Sequence, residues 1–298
     1  MDLIDGLKAF VATAQTGSFT EAAERLGISN RLTSKYVAQL EEKLGARLLQ
    51  RTTRQVSLTA AGQALLSRAP ILLNQLDDML VLVSEESKGL TGTLRISAPV
   101  TFGEVHLQDM LRRFSAIHPD ISLDLRLTDQ YVDLASDGFD LAFRVGMPTV
   151  SSLKARKLGE LKSHLVASPE YLKRCGEPKH PNELDGHDFV IDTNRQQHNK
   201  WSFKHGNEEF VFSPTKKLMV NSARIVRDWT LAGCGIALCP DFVIRDELKS
   251  GQLTVLLGQY QLESRTIYAT YLSGHEIPRK VRALIDFAVE DFQQHSTS

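Results

Sequence analysis

Between Gly17 and Gly45 the chain reads GSFTEAAERLGISNRLTSKYVAQLEEKLG, and its glycines leave few options for the fold. Just before it, Leu3, Leu7, Phe10, Val11 and Ala14 recur at helical spacing, and Gly17 supplies a stop. Ser18 and Glu21 form a capping box that opens a second helix, which Gly27 closes after Leu26. Ser29 or Asn30 caps a third helix that runs to about Leu44. Short helix, glycine turn, longer helix is the helix-turn-helix pattern. On the third helix Asn30, Arg31, Ser34 and Lys35 lie on one side and Val37, Leu40 and Leu44 on the other. The spacing predicts a polar, basic face turned outward and an apolar face anchored on the first two helices.

The next stretch, ARLLQRTTRQVSLT, reads as two short extended pieces around a polar turn at Thr52–Thr53. Arg47, Arg51 and Arg54 lie in it, with no acid between Gly45 and Thr59. Net charge over the whole chain is −1, and residues 1–90 are balanced, so positive charge is concentrated on the third helix and the hairpin rather than spread over the chain. That is where a winged helix-turn-helix meets phosphates.

The segments LKAFVATAQTGSFTEAAERLGIS and QLEEKLGARLLQRTTRQVSLTAAG, with their spacing, resemble the N-terminal domain of LysR-type transcriptional regulators, and a weaker likeness extends along the whole chain. The resemblance implies that the third helix enters the major groove of double-stranded promoter DNA and that the wing touches its backbone. Asn30, Arg31 and Ser34 then face base edges, and Lys35, Arg51, Thr52 and Arg54 become phosphate contacts. The chemistry agrees, since arginine reads guanine and asparagine reads adenine with paired hydrogen bonds. Arg31, Thr33 and Tyr36 depart from the residues usual in the family.

After Thr59, residues Leu65, Ala69, Leu72, Leu76, Met79 and Val83 are spaced as the seam of a pairing helix. One long helix over residues 59–86 is expected, with a bend near Ala69–Ile71 because Pro70 removes a backbone bond. SKGLTG, Ser87–Gly92, reads as a hinge. The remainder alternates strand and helix patterns, as an α/β domain with a largely parallel sheet would. Strands are read at TLRISAP, ISLDLRLTD, FDLAFRVG and RTIYATYL and within SHLVASPEYL, FVIDTN and WSFKHGNEEFVFSP, and helices at HLQDMLRRFSAIHP, YVDLASDG and PRKVRALIDFAVEDFQQ. This part is similar to the family's effector-binding domain, which resembles periplasmic binding proteins with two α/β subdomains joined by two crossings.

The expected organisation is thus an all-α winged helix-turn-helix domain (1–58), a linker and dimerisation helix (59–86), a hinge (87–92) and an effector domain (93–298). The effector domain divides into subdomain I (93–162 and 268–298) and subdomain II (163–267). Ligands in open α/β sheets sit beyond the carboxyl ends of strands. By that rule the effector candidates are Thr101, Phe102, Asp129, Gln130, Arg144, Gly146, Asn221 and Ser222. Arg144 suits a carboxylate, so an anionic effector is one option. Thr101, Asn221 and Ser222 serve equally as helix caps, and Arg144 equally as an internal ion-pair partner of an aspartate.

Composition sets the remaining bounds. The chain has 298 residues, 42% hydrophobic and 24% charged, enough for more than one core. Three cysteines make no disulfide framework, no leader or membrane-spanning run is evident, and a reducing cytoplasm is the simplest setting. GCGIAL lacks the third glycine of a dinucleotide loop, the histidines at 180, 187, 198 and 205 lack metal-ligand spacing, and no nucleophile elbow or phosphate loop is present. A regulator is therefore expected, not an enzyme, with no cofactor and no membrane. Family likeness further implies a homodimer assembling to a homotetramer, with RNA polymerase a further partner. The rival readings are a switch by pH or thiol redox at Cys234, and a solute-binding module that does not bind DNA.

Overall fold

The computed structural model describes residues 2–51, 56–83, 89–146, 153–195, 198–215, 218–273 and 277–295. The first three helices are α1 (Leu3–Thr16), α2 (Phe19–Leu26) and α3 (Asn30–Leu44), and each is fixed at both ends by its own sequence. The side chains of Asp2, Ser18 and Ser29 accept hydrogen bonds from the first-turn amides of Ile4, Glu21 and Leu32. Gly17, Gly27 and Gly45 close the helices with φ of 68°, 67° and 65°, left-handed conformations that a side chain disfavours. Strands β1 (Leu49–Arg51) and β2 (Val56–Leu58) pair antiparallel, with Leu49 opposite Leu58 and Arg51 opposite Val56. Leu7, Phe10, Val37, Leu40, Leu48 and Leu49 form the core beneath them. Leu44, expected in that core, is 49% exposed: it sits in the last turn of α3, beyond the helices it would pack against.

The expected single linker helix is two helices, α4 (Ala60–Leu66) and α5 (Ala69–Val83), separated by a turn at Ser67–Arg68. Pro70 has no N–H to return to the Leu66 carbonyl, but it is tolerated in the first turn of a new helix, and the chain breaks there. The expected seam also divides. Leu65 and Ala69 pack into the core with α1, whereas Leu72, Met79 and Leu80 are 55%, 53% and 57% exposed. Leu76 is half-buried. The side chain of Val83 lies outside the described residues, as do residues 84–88 of the linker and hinge.

Beyond the hinge, β3 (Gly92–Ala98) leads into α6 (Val100–Phe102), a π-helical turn (Gly103–Leu107) and α7 (Gln108–Ile117). β4 (Ile121–Leu127), β5 (Leu141–Val145) and β6 (Leu153–Leu161) follow. The helix expected at YVDLASDG is a set of turns: the Asp133 carboxylate accepts from the Ala135 and Ser136 amides, so the side chain takes over the bonding a helix would need. The chain then forms β7 (Ser163–Ala167), α8 (Pro169–Cys175), a 3-10 turn (Pro181–Leu184), β8 (Phe189–Asp192), β9 (Trp201–His205), β10 (Glu208–Phe212) and β11 (Leu218–Val220). It ends with α9 (Ala223–Leu231), β12 (Ile236–Pro240), α10 (Asp241–Lys249), β13 (Thr254–Leu256), β14 (Gln261–Leu262), β15 (Arg265–Leu272) and α11 (Arg279–His295).

Two five-stranded sheets result, ordered β4-β3-β5-β15-β6 and β11-β8-β12-β7-β13, with a three-stranded sheet β10-β9-β14 beside the second. β3 is parallel to both neighbours, while β15 runs antiparallel between β5 and β6. In the second sheet successive residues feed two cores. Leu165, Phe189 and Ile236 face one, and Val166, Val190 and Ala237 face the other. The chain passes between the sheets at Lys162 and at Glu263–Ser264. Arg265, Thr266 and Ile267, expected in subdomain II, already belong to β15 of the first sheet, because their backbone pairs with β6.

Candidate nucleic-acid interface and effector cleft

Asn30, Arg31 and Lys35 are exposed on α3 and Ser34 is half-buried on the same stretch. Asn30 also ties the motif together: its Nδ2 donates to Thr20 Oγ1 of α2 at 2.8 Å. Thr33 is fully buried because its hydroxyl donates to the Ser29 carbonyl at 3.1 Å, which satisfies a polar group in an apolar site. Arg51 is in β1; its side chain, together with Thr52 and Arg54, lies outside the described residues. Composition gave no hint of the link that holds the wing to this helix. Glu41 of α3 accepts from the Leu48 and Leu49 amides at 2.7 and 3.0 Å, and Thr59 donates to the Arg47 carbonyl at 2.7 Å. Gly62 completes the fit, since a Cβ there would stand 2.0 Å from the Leu48 carbonyl oxygen.

The cleft between the two large sheets has a volume of about 170 Å³. Four of the eight expected effector residues line it: Thr101, Phe102, Asp129 and Arg144. Gln130, Gly146, Asn221 and Ser222 do not. Gly146 donates its amide to the Thr266 carbonyl, and Ser222 caps α9 by accepting from Ile225. The Asn221 carbonyl accepts from Asn194 Nδ2, which also donates to Asp129 Oδ2, so one amide bridges the two walls. Arg224 of α9 and Glu104 of the π-helical turn form a second bridge at 2.9 Å.

Among the described residues Arg144 makes no ion pair with an aspartate. Its guanidinium donates to the Phe143 carbonyl and to Ser97 Oγ, both at 2.8 Å. Burial lowers its pKa, with Tyr131 and Asp129 opposing. Residues that strand-end reasoning missed complete the cleft: Ser163, Asp192, Asn194, Arg195, Phe242 and Arg265. Arg195 Nη1 donates to Ser163 Oγ at 3.0 Å. Burial, and after it the charge of Arg265, pulls Arg195 down to about 10. Arg265 is lowered by burial. Burial also raises Asp192, against the Asn194 amide it accepts from. The signal that could have found the two arginines was their position: one follows a strand end and the other opens a crossing strand.

Cys234 is half-buried and packs against the second sheet, while Cys239 on β12 is buried and its thiol is pushed up to about 12, chiefly by burial. Among the described residues no cluster of histidine, cysteine or carboxylate could hold a metal ion, and no helix is long and apolar enough to cross a membrane.

Known proteins match this chain in two parts. Residues 4–63 match "Bacterial regulatory helix-turn-helix protein, lysR family", and residues 87–293 match "LysR substrate binding domain". The regulator PtxR of Pseudomonas aeruginosa is 34% identical, over 95% of this chain and 91% of its own length. The full-length structure of the Vibrio cholerae virulence activator AphB is 33% identical, covers 97% of this chain and 99% of its own, and superposes with a TM-score of 0.62. CrgA of Neisseria meningitidis is 31% identical, covers 96% and 98%, and also superposes at 0.62. With an outward basic helix held over a wing, an α/β domain closing a cleft, and these matches along nearly its whole length, the chain belongs to the LysR family of DNA-binding transcription regulators.

Proposed function

We propose that this regulator binds promoter DNA with Asn30, Arg31 and Ser34 against base edges and Lys35, Arg51, Thr52 and Arg54 against phosphates, and that a small molecule in the cleft controls it. The observation that carries the DNA reading is the exposure of Arg31 and Lys35 on a helix whose opposite face, Val37 and Leu40, is fully buried. The exposed Leu72, Met79 and Leu80 on α5, with half-buried Leu76, favour pairing of two copies along that helix. A two-fold pair reads palindromic half-sites, and two such pairs make a tetramer suited to an extended site. A protein that reads promoter DNA works where the chromosome is, so its setting is the cytoplasm, with RNA polymerase within reach of the assembly. The effector acts by binding one subdomain arrangement better than another; the Asn194 and Arg224 bridges are the contacts such a change would remake.

The test is fluorescence anisotropy of the full chain with its own upstream intergenic DNA and scrambled competitor, across a salt series. Arg54→Ala should weaken binding to all sequences and reduce the salt slope by about one. Arg31→Ala should relax base preference across a randomised operator. An unchanged slope removes Arg54 from the phosphate contacts, an unchanged preference removes Arg31 from the base contacts, and failure to bind any DNA at low salt overturns the contact assignment as a whole.

A further inference from the structure

The cleft carries more positive charge than its own residues answer. Three guanidiniums, Arg144, Arg195 and Arg265, face two carboxylates, Asp129 and Asp192. Among the described residues none of the three makes an ion pair; the hydrogen bonds of Arg144 and Arg195 go to neutral oxygens. Asp129 spends its oxygens on the Val100 amide and on Asn194. Asp192 accepts the Asn194 amide, and burial works against its charge. Buried charges are ordinarily paired, because an unpaired one forfeits its hydration without return.

The excess is not evenly placed. Arg144 has two hydrogen bonds and Asp129 as a nearby opposite charge. Arg195 and Arg265 are neighbours of like charge, close enough for one to depress the other, with Asp192 as their stronger shared counter-charge and exposed Glu263, outside the lining of the cleft, as a weaker one. Ser163, which holds Arg195, opens the strand after one crossing, and Arg265 opens the strand after the other. The seat is therefore at the hinge of the two subdomains. The lining also has an apolar part: Phe102 and Phe242 pack edge to face at 6.0 Å, and Leu161 and Val145 line the cleft as well. A volume of about 170 Å³ lies below the roughly 300–1,000 Å³ of drug-sized pockets and suits a compact molecule.

We propose that the cleft takes a small monocarboxylate, its carboxylate seated between Arg195 and Arg265 beside Ser163 and its apolar body against Phe102 and Phe242. This rests on the reading of the cleft as the effector site. One carboxylate balances the three guanidiniums and two carboxylates that line the cleft, and the two guanidiniums offer it charge-assisted, two-pronged hydrogen bonds. Its position between the crossings lets it bias the angle between the subdomains directly.

The experiment is calorimetric titration of the full-length protein with benzoate, its neutral isostere benzamide, and succinate, with wild type, Arg195→Met, Arg265→Met and Arg265→Lys. Benzoate should bind wild type at least tenfold more tightly than benzamide or succinate. Each methionine variant should lose about tenfold to a hundredfold, the worth of one charge-assisted bond. Arg265→Lys keeps the charge without the fork and should fall between, which also serves if a methionine variant does not fold. Benzoate no tighter than benzamide, or undiminished in the variants, overturns the anion seat. Succinate tighter than benzoate overturns the apolar body and assigns Arg144 a carboxylate of its own. DNA binding of the same wild-type sample is measured in parallel. Selective DNA binding without an anion effect sinks the seat alone, whereas an anion effect without DNA binding sinks the DNA contacts alone.

Discussion

Replacing Arg195 with methionine should make the unliganded protein more stable. The side chain is held at about 10 against 12.5 for a free guanidinium, mainly because it is buried. At about 1.4 kcal/mol for each tenfold change in proton affinity, the folded state bears a cost of roughly 3 kcal/mol for keeping this cation charged. Methionine has a comparable unbranched stem and carries no charge. The change forfeits the bond to Ser163 Oγ, a loss of about 1 kcal/mol. The remainder, roughly 2 kcal/mol, corresponds to a rise of about 4–8 °C in the melting temperature of a domain of this size. The pH dependence is fixed by the sign of the shift. A cation whose folded pKa is depressed burdens the folded state fully below that pKa, and the burden fades only as pH rises from about 10 towards 12.5. The gain should therefore be constant from pH 6 to 9. Scanning calorimetry of the purified full chain at pH 6, 7.5 and 9 reads it. A variant that melts below wild type would refute the argument, because it would mean that Arg195 is paid back by its surroundings without any ligand.

Three further outcomes follow from the fold. Glu41→Ala strands the Leu48 and Leu49 amides and should cost about 1–3 kcal/mol, read as an earlier urea midpoint for the winged domain; an unshifted midpoint would mean that the wing holds without this buckle. Gly62→Ala drives a Cβ into the Leu48 carbonyl, and the resulting displacement should cost about 1–3 kcal/mol or more despite alanine's better helix propensity; it should also weaken DNA binding, and wild-type behaviour in both would contradict the close approach. Under native conditions iodoacetamide should label exposed Cys175 and spare Cys239, whose buried thiol is pushed up to about 12; rapid labelling of Cys239, read by peptide mass spectrometry, would contradict the packing of β12.

The DNA-binding half was legible because its instructions are local. Ser18, Ser29 and the glycines at 17, 27 and 45 act within four residues of themselves, so caps and stops could be read one at a time. Thr33 and Glu41 were not legible in the same way. Their partners are a helix carbonyl behind and a strand ahead, and a polar residue's burial depends on both. The strand β6 escaped notice because Lys154, Arg156 and Lys157 obscure any alternation, which suits a sheet edge better than a sheet centre. In the cleft, the strand-end rule found Thr101, Phe102, Asp129 and Arg144, all on the first wall. It missed Arg195 and Arg265 because their nearness to each other arises from pairings between segments far apart in sequence.

The placing of β15 has a consequence for how the chain comes to be folded. Every core residue of the winged domain lies within the first 73 positions, so that domain has all its partners soon after it leaves the ribosome. The first large sheet does not. β15 is the strand that joins β6 to β5, and it arrives only at Arg265. At roughly 5–20 residues per second, synthesis leaves β6 unpaired and β5 with one open edge for several seconds after they emerge. Lys154, Arg156 and Lys157 of β6 then serve as guards during that interval, since charge on an open edge discourages pairing with a neighbouring chain. Removing them would leave the finished sheet intact and lower the yield of chains that reach it.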